Sequence, residues 1–353
     1  MSRFFSAKYK SLVSYTPGEQ PRDRKYIKLN TNESPFPPSE KAVAYAMEAA
    51  KMLNLYPDPE CTGLTARLAK LHEVAPEEVL VGGGSDELLN FAFMAFCDRY
   101  HPAAFPEISY GFYKVLAEVN GVPFKEIPLQ ENFNIRAEDY MAQGRTIFLS
   151  NPNAPTGLAL SIADIEGIVR RNPDNVVVID EAYVDFGATS CIPLIHRYEN
   201  LLVIQTFSKS RSMAGARLGF CVGNADLIRD LRTVKDSINP YNVNRMTMAA
   251  ALGALEDEEY MQRNCRLIRE SRRFAADGLA LLGFTLTDSV TNFLFARHPR
   301  VDGRALYLKL KEKGVLVRHF DNPVISQYNR ITVGSLEDMQ AFLKVLKDIL
   351  GEE

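Results

Sequence analysis

Lys209 stands just beyond an apolar run, residues 201–207, and is flanked by a serine on either side. The run has the composition of a buried strand, so the lysine falls where that strand ends. A lysine at the edge of a loop is ordinarily a solvated charge. In a site shielded from water and close to Arg217, however, the ammonium form is disfavoured, and the neutral amine is a nucleophile that can form a Schiff base. Lys209 is therefore a candidate for covalent catalysis on a carbonyl compound.

Asp180 ends a second apolar run, VVVID at residues 176–180. A single aspartate after a strand often caps a turn or a helix. Alternatively, its carboxylate points at a cationic atom of a ligand. Two unit charges 4 Å apart interact by about 4 kcal/mol at an effective dielectric constant of 20, which is enough to keep a weakly basic ring nitrogen protonated. Tyr183 lies three residues further on and can offer its hydroxyl to the same ligand.

Two more strand ends carry unusual residues. The run VLVG ends in GGGSDE, residues 82–87, which predicts a helix with Ser85 as its N-cap and acidic residues in its first turn. Backbone N–H groups at such a terminus favour a phosphate or another anion, although a plain turn into a helix has the same pattern. The run TIFLS, residues 146–150, ends in NPNAPTG. Together the four strand ends offer partners for a carbonyl, a phosphate and a protonated ring nitrogen. These are the functional groups of pyridoxal 5'-phosphate (PLP).

The elements that must position these residues form an α/β fold. Short apolar runs rich in β-branched residues alternate with amphipathic stretches such as SDELLNFAFMAFC and SIADIEGIVRR. This alternation predicts a mostly parallel, doubly wound sheet that is covered on both faces, with ligands bound at the carboxyl ends of its strands. From about residue 250 a long charged helical stretch leads to NFLFA, GVLVR and RITVG, and then to a helix with capping-box spacing between Ser335 and Asp338. That segment predicts a smaller α+β domain.

Composition narrows the choice of partners. The chain has 353 residues, 46% of them hydrophobic, and a net charge of −3, which gives no electrostatic footprint for nucleic acid or an anionic membrane. No run is long enough to span a bilayer, and the start does not read as a signal peptide. Five cysteines without a CxxC pair predict reduced, buried thiols, and the five scattered histidines predict no metal site. We expect a cytoplasmic protein that binds small molecules.

Three stretches in this order, NPNAPTG, DEAYVDF and TFSKSRSMAGARLGF, resemble those of the fold-type I, aspartate aminotransferase-like PLP enzymes of aminotransferase class II. The resemblance runs nearly from end to end through SYTPGEQ, LNTNESPFPPS, YPDP, VGGGSDELL, SYGFY, PYNVN, NFLFA and RITVG. Within that group the chain most resembles the histidinol-phosphate aminotransferases. Each piece is short and degenerate, but their ordered occurrence together is highly specific.

The resemblance implies roles for individual residues. Lys209 would carry PLP as a Schiff base and shuttle the proton, Asp180 would pair with the pyridine nitrogen, and Tyr110 would stack on the ring. The remaining cofactor contacts that it implies are Asn153 and Tyr183 at the ring hydroxyl, and Ser85, Asp86, Thr206, Ser208 and Arg217 around the phosphate. Tyr56 of YPDP would reach the phosphate of the neighbouring subunit's cofactor, which implies a homodimer with shared active sites.

The substrate side is also implied by the resemblance. Arg330 would fork onto a substrate anion, a bidentate contact that lysine cannot copy. Histidinol phosphate would offer its phosphate there, and glutamate its carboxylate. Arg318, Tyr15 and Asn32 would assist. Two stretches depart from the common pattern: NESPFPP stands in place of NENPxGP, and SRSMAG follows the lysine in place of AFGLAG.

The implied reaction is ping-pong transamination between an amine and a 2-oxo acid, here histidinol phosphate and 2-oxoglutarate. The implied division of the chain is an N-terminal arm, residues 1–45, that contributes to the small domain and the dimer interface, a large PLP-binding domain, 46–250, and a small C-terminal domain, 251–353. Alternatives on the same scaffold are an aromatic amino acid aminotransferase and a threonine-phosphate decarboxylase. More remote ones are a dinucleotide-dependent oxidoreductase, which the absence of GxGxxG disfavours, and a non-catalytic PLP-binding protein.

Overall fold

The computed structural model describes residues 2–351, so residue 1 of the expected N-terminal arm and residues 352–353 of the expected C-terminal domain lie outside it. The fold is α/β, as predicted. Its strands are β1 (Ile27–Lys28), β2 (Val79–Gly82), β3 (Ala103–Pro106), β4 (Phe124–Ile127), β5 (Thr146–Ser150), β6 (Val177–Asp180), β7 (Leu201–Thr206), β8 (Gly219–Gly223), β9 (Thr285–Leu286), β10 (Phe293–Arg297), β11 (Val315–Leu316), β12 (Arg318–His319) and β13 (Asn329–Thr332).

The α-helices frame three sheets. They are α1 (Glu40–Ala50), α2 (Thr62–His72), α3 (Ser85–Phe96), α4 (Phe112–Asn120), α5 (Ile162–Arg170), α6 (Ala225–Ile238), α7 (Arg245–Leu255), α8 (Glu258–Leu281), α9 (Gly303–Glu312) and α10 (Leu336–Leu350). In residues 2–351 none of the helices is long and apolar enough to cross a membrane. The five cysteines are buried, as predicted, and free.

The central sheet has seven strands in the order β2-β8-β7-β6-β5-β3-β4. All neighbours are parallel except for β8, which runs antiparallel to both β2 and β7. Successive residues of the middle strands enter different cores: Ile147 and Leu149 pack on one face of the sheet, and Phe148 packs on the other. Because both faces are covered by helices, these strands are apolar throughout, which is why they were visible in the sequence.

The smaller unit contains an antiparallel sheet, β12-β13-β10-β9, whose core is shared with α8, α9 and α10. The N-terminal segment joins this unit, because β1 pairs with β11 in parallel and Leu29 is buried in the same core. The capping box predicted at the start of α10 is confirmed, since the side chains of Ser335 and Asp338 each bond to the other's backbone N–H. The domain boundaries at 45 and 250 stay a prediction.

One local prediction is wrong. The N-cap of α3 is Gly84, not Ser85, which is the first residue of the helix. Gly84 has φ +101°, a conformation that glycine adopts without strain, and no side chain caps the helix. The first N–H groups of α3 therefore stay available to a ligand. The chain also approaches itself closely here, because a Cβ on Gly219 of β8 would lie 2.6 Å from the Ser85 nitrogen.

The contact between α1 and α7 gives a testable consequence of packing. A Cβ on Gly253 would lie 2.5 Å from the carbonyl oxygen of Lys41. We therefore expect Gly253→Ala to lower the free energy of unfolding by about 1–3 kcal/mol, because the two helices must separate. Gly63→Ala, also in a helix, is the matched control: its Cβ would make only an ordinary contact with Leu252 at 3.9 Å, so it should be neutral or stabilising by up to about 1 kcal/mol. Thermal unfolding midpoints at fixed protein and PLP concentrations would compare them. Equal unfolding midpoints for the two variants would contradict the close contact between α1 and α7.

Candidate active site

A cavity of about 570 Å³ lies at the carboxyl ends of β5, β6 and β7, where the central sheet meets the smaller unit. Its wall contains all but two of the residues expected from the sequence. The lining members of that set are Tyr15, Asn32, Ser85, Asp86, Tyr110, Asp180, Tyr183, Thr206, Ser208, Lys209, Arg217, Arg318 and Arg330. Residues separated by some 300 positions in the chain are thus brought into one site.

The amine of Lys209 is enclosed by groups that disfavour its charged form. Its Nζ donates to the carbonyl oxygen of Thr31 at 3.3 Å and lies 5.8 Å from the centre of the Tyr183 ring. Burial lowers the pKa of Lys209 to about 8, and the charge of Arg330 acts in the same direction. Arg217, which the sequence suggested as the relevant cation, contributes less than Arg330. At neutral pH a larger fraction of this amine than of an exposed lysine is therefore the free nucleophile.

Asp180 is a buried carboxylate held by neutral donors. Tyr113 donates its hydroxyl to Oδ2 at 3.0 Å, and the backbone N–H of Ala182 donates to Oδ1 at 3.1 Å. Burial raises the pKa of Asp180 to about 7, and these two hydrogen bonds oppose that rise. A cationic ring nitrogen facing this carboxylate would supply the opposite charge that neither partner provides.

The start of α3 forms an anion site together with the end of β7. Ser85 and Asp86 of its first turn line the cavity together with Thr206 and Ser208, whose hydroxyls are hydrogen-bonded to each other at 3.0 Å. Gly84 has φ +101°, which favours glycine, and the guanidinium of Arg217 lies close to it, since a Cβ here would be 2.9 Å from a terminal nitrogen of Arg217. Hydroxyl, amide and guanidinium donors around a helix N-terminus fit a phosphate group. On this donor set, the residues present fit PLP.

Asp86 has a different part in this site from its neighbours. Its carboxylate accepts from Tyr110 at 2.7 Å and pairs with Arg217 at 2.9 Å. A carboxylate would repel a phosphate, so Asp86 can offer the anion only its backbone N–H. Its side chain instead fixes the aromatic ring of Tyr110 and the guanidinium of Arg217, the first expected beside the cofactor ring and the second beside its phosphate.

Asn32 connects the N-terminal segment to Tyr183. Its Nδ2 donates to the Tyr183 hydroxyl at 3.0 Å, and its Oδ1 accepts from the hydroxyl of Thr332 at 3.0 Å. The Asn32 carbonyl also accepts from Asn292. Since both ends of the amide are engaged, the geometry favours an orienting role for Asn32 over direct contact with a substrate. Accepting from Asn32 leaves the proton of Tyr183 free to be donated into the cavity.

Two arginines, Arg330 and Arg318, also line the cavity. Arg330 is held by the Asn30 carbonyl at 3.2 Å and lies 5.4 Å from the centre of the Phe293 ring, while its Nε has no hydrogen-bond partner among the described residues. A largely buried guanidinium with an unused donor is suited to an anionic ligand group. Arg318 donates to the carbonyls of Thr16 and Pro17 and so fixes the segment that carries Tyr15.

Two expected site residues do not line the cavity. The amide of Asn153 donates to the carbonyl of Ile108 at 2.9 Å and accepts from Ser109 at 2.7 Å, so it is engaged within the loop. Tyr56 is 78% exposed and stacks on Tyr241, with ring centres 4.7 Å apart. Its expected contact is with another subunit, and both roles stay predictions.

The two stretches that depart from the usual family pattern meet in space. Ser34 of NESPFPP and Ser212 of SRSMAG are hydrogen-bonded through their hydroxyls at 2.8 Å. Ser212 has φ +57°, which explains why a glycine is common at this place after the lysine. Their direct contact shows that the two changes form one local unit beside Lys209.

Several residues of the site were not identified from the sequence. Thr31 and Glu33 line the cavity, Thr332 holds Asn32, and Tyr113 holds Asp180. The one available signal was the spacing in SYGFY, which puts a second tyrosine three residues after Tyr110. Spacing predicts a shared helix face but does not name the partner of a hydroxyl.

The fold and this site define a PLP-dependent aminotransferase. Residues 24–346 match the family described as aminotransferase class I and II, and the chain belongs to that family. It is 48% identical to the histidinol-phosphate aminotransferase of Marinomonas sp. (strain MWYL1), with 99% of this chain and 100% of that protein covered. The relative of the same name from Aromatoleum aromaticum is also 48% identical, over 99% of this chain and 100% of that protein.

A solved structure shares the fold. The histidinol-phosphate aminotransferase of Sinorhizobium meliloti in complex with pyridoxal-5'-phosphate superposes with a TM-score of 0.89, covering 99% of this chain and 98% of that one at 22% identity. PLP is the cofactor of this family, so the predicted fold class and cofactor are confirmed. Membership of the family excludes the dinucleotide-dependent oxidoreductase.

The environment of Lys209 predicts a pH dependence. Because its pKa is lowered to about 8, the neutral amine of the PLP-free protein should become the major form as the pH rises through 8. Exposed lysines should become mostly neutral only at a pH about two units higher. Brief reductive methylation with formaldehyde between pH 6 and 10, with peptide mass spectrometry, would follow each lysine separately. A Lys209 midpoint equal to that of the exposed lysines would contradict the described environment.

Proposed function

We propose that the chain transfers the amino group of histidinol phosphate to 2-oxoglutarate in histidine biosynthesis, using PLP bound to Lys209. The observation that carries this proposal is the arrangement of one cavity. This cavity is lined by a lysine amine with a lowered pKa, a buried carboxylate, the start of α3 and two arginines. The names of the curated relatives give the same activity.

Bound PLP supplies a carbonyl for the amine and a ring that accepts the electrons of the broken Cα–H bond. The chain's own residues do the rest. Lys209 would hold the cofactor through its amine and, once displaced by the substrate amine, would take the proton from the substrate Cα and later give it up again. Asp180 holds a proton on the ring nitrogen, and Tyr183 donates its hydroxyl to the ring oxygen. The start of α3, Thr206, Ser208 and Arg217 bind the phosphate.

The arginine wall determines the kind of substrate. Histidinol phosphate has a phosphate but no carboxylate, whereas glutamate has carboxylates but no phosphate. Arg330 can fork onto either anion, so one guanidinium serves both halves of a ping-pong cycle. Arg318 lies beside it and adds positive charge at the same end of the cavity.

The substrate is tested by a half-reaction. Adding histidinol phosphate to the purified holoprotein, without an acceptor, should bleach the visible absorption of bound PLP, because the amino group stays on the cofactor. Adding 2-oxoglutarate should restore the band and release one equivalent of glutamate. If histidinol phosphate leaves the absorption band unchanged but phenylalanine bleaches it, the protein would be an aromatic amino acid aminotransferase. Release of CO2 from threonine phosphate would indicate a decarboxylase, and either outcome would overturn the proposed substrate.

Replacement of Arg330 tests the shared anion site. Arg330→Lys keeps the charge but loses the fork, so we expect the KM for histidinol phosphate and for 2-oxoglutarate to rise together by about tenfold or more. Arg304→Lys is the matched control, because Arg304 forms an exposed surface pair with Asp321. Its KM values should be those of the wild type. A rise for one substrate only would contradict a single site for both anions.

We also propose a homodimer. Apolar side chains are exposed next to the stacked pair of Tyr56 and Tyr241, at the end of α1 and in the turn that follows it. Met47 is 68% exposed, Leu53 is 58% exposed and Leu55 is 50% exposed. A cluster of this kind favours contact with a second copy of the chain. The backbone of Tyr56 is held by Arg245, which donates to its carbonyl at 2.7 Å, so its ring is presented outward on a fixed support.

The dimer can be tested at Leu53. Leu53→Arg puts a charge into the proposed interface, so we expect sedimentation to show a shift from dimer towards monomer and weaker retention of PLP, since Tyr56 would no longer reach a partner. Leu281→Arg is the control, because Leu281 is 88% exposed at the end of α8 and distant in sequence from the cluster. A monomeric wild type would contradict the proposal.

A further inference from the structure

Tyr113 is a buried tyrosine whose hydroxyl reaches the cofactor side of the sheet. It lies on α4, is fully inaccessible to solvent, and donates to Oδ2 of Asp180 at 3.0 Å. Its ring meets that of Tyr110 edge to face, with centres 5.7 Å apart. One helix thus supports both the carboxylate expected at the ring nitrogen and the tyrosine expected beside the ring. Neither the sequence motifs nor the proposed roles above assign a function to Tyr113.

The surroundings of Asp180 work against its ionised form. It is only 3% exposed, and the carboxylates of Asp86 and Glu181 are close enough to raise its pKa further. Glu181 is itself engaged by Ser190, Gln205 and the backbone of Cys191. Tyr113 and the N–H of Ala182 are the two groups that donate to Asp180 and favour its charged form. Of the two, Tyr113 is the one that a side-chain substitution can remove.

We propose that Tyr113 is a positioning residue that keeps the proton shared between Asp180 and the pyridine nitrogen on the nitrogen. The inference rests on the role proposed for Asp180. A carboxylate that accepts an extra hydrogen bond has a lower affinity for a proton. Without the Tyr113 hydroxyl, the shared proton moves towards Asp180 and leaves the ring nitrogen neutral. A neutral ring is a weaker electron acceptor, so the step that removes the Cα proton slows while substrate binding is unaffected.

The test combines a spectroscopic and a kinetic measurement. The wild type and Tyr113→Phe are loaded with PLP labelled with ¹⁵N in the ring, and the nitrogen signal is followed by NMR from pH 6 to 9 without substrate. We expect a protonated nitrogen in the wild type and a shift towards the neutral position in the variant. With substrates, kcat should fall by about ten- to a hundredfold, and both KM values should stay within about twofold.

Tyr140→Phe is the matched control. Tyr140 is also a buried tyrosine, but it packs on the opposite face of the central sheet, and within residues 2–351 its hydroxyl has no hydrogen-bond partner. Its replacement removes the same atom without touching Asp180, so both the nitrogen signal and kcat should match the wild type. Since the NMR measurement needs no substrate, an error in the proposed substrate would not affect it.

A second variant keeps the inference testable if Tyr113→Phe does not fold. Genetically encoded 3-fluorotyrosine at position 113 adds one small atom and makes the hydroxyl a stronger donor, so at pH 6 the nitrogen signal should lie at least as close to the protonated position as in the wild type. An unchanged nitrogen signal in the folded Tyr113→Phe protein, or a signal that the fluorinated side chain moves towards the neutral position at pH 6, would overturn the proposal. A fall in kcat with no change in that signal would also overturn it, since it would reflect a structural defect only.

Discussion

The structure depends on charged groups that are held away from water in one cavity. Three such groups lie at the carboxyl edge of the central sheet with little solvent around them. They are the amine of Lys209, the carboxylate of Asp180 and the guanidinium of Arg330. Taking such groups out of water is costly unless hydrogen bonds or a ligand compensate. Here the backbone and tyrosine hydroxyls compensate in part, and the phosphate, ring nitrogen and carbonyl of PLP match what is left. Within the cavity, the Nε of Arg330 is a donor that the fold leaves unused and that an anionic substrate group could take up.

This arrangement requires the central sheet and the smaller unit, each with its own hydrophobic core, to pack against each other. The central sheet supplies Asp180, Lys209 and the start of α3, whereas the smaller unit supplies Arg330 and Arg318. The N-terminal segment joins the two, because Asn32 is bonded to Tyr183 on one side and to Thr332 on the other. Arg318 fixes residues 16 and 17 by their carbonyls, so the segment that carries Tyr15 is held over the cavity by the smaller unit. A shift of either unit would change the distance between the cofactor end and the anion end of the site.

The sequence predicted the parts of this design that have a local signature. The strands β2, β5, β6 and β7 are apolar throughout, so their positions were predicted to within about one residue, and the polar residues at their ends followed. The strands β3 and β4 were missed because AAFP and FKEI are short and contain a proline or charges. Ser85 was wrongly predicted as an N-cap, since a glycine with a positive φ leaves no side-chain signal. The contacts of Tyr113, Asn32 and Thr332 depend on how distant segments pack, which no local pattern records.

The most direct measurement is to fix the cofactor chemically to the lysine that holds it. The holoprotein would be reduced with borohydride, digested, and analysed by mass spectrometry for the peptide that carries the phosphopyridoxyl group. We expect the group on Lys209 and on no other lysine. Its recovery on a different lysine, for example on Lys235, which is also buried, or its absence from every peptide of a protein loaded with PLP, would contradict the role of Lys209 on which the proposed function depends.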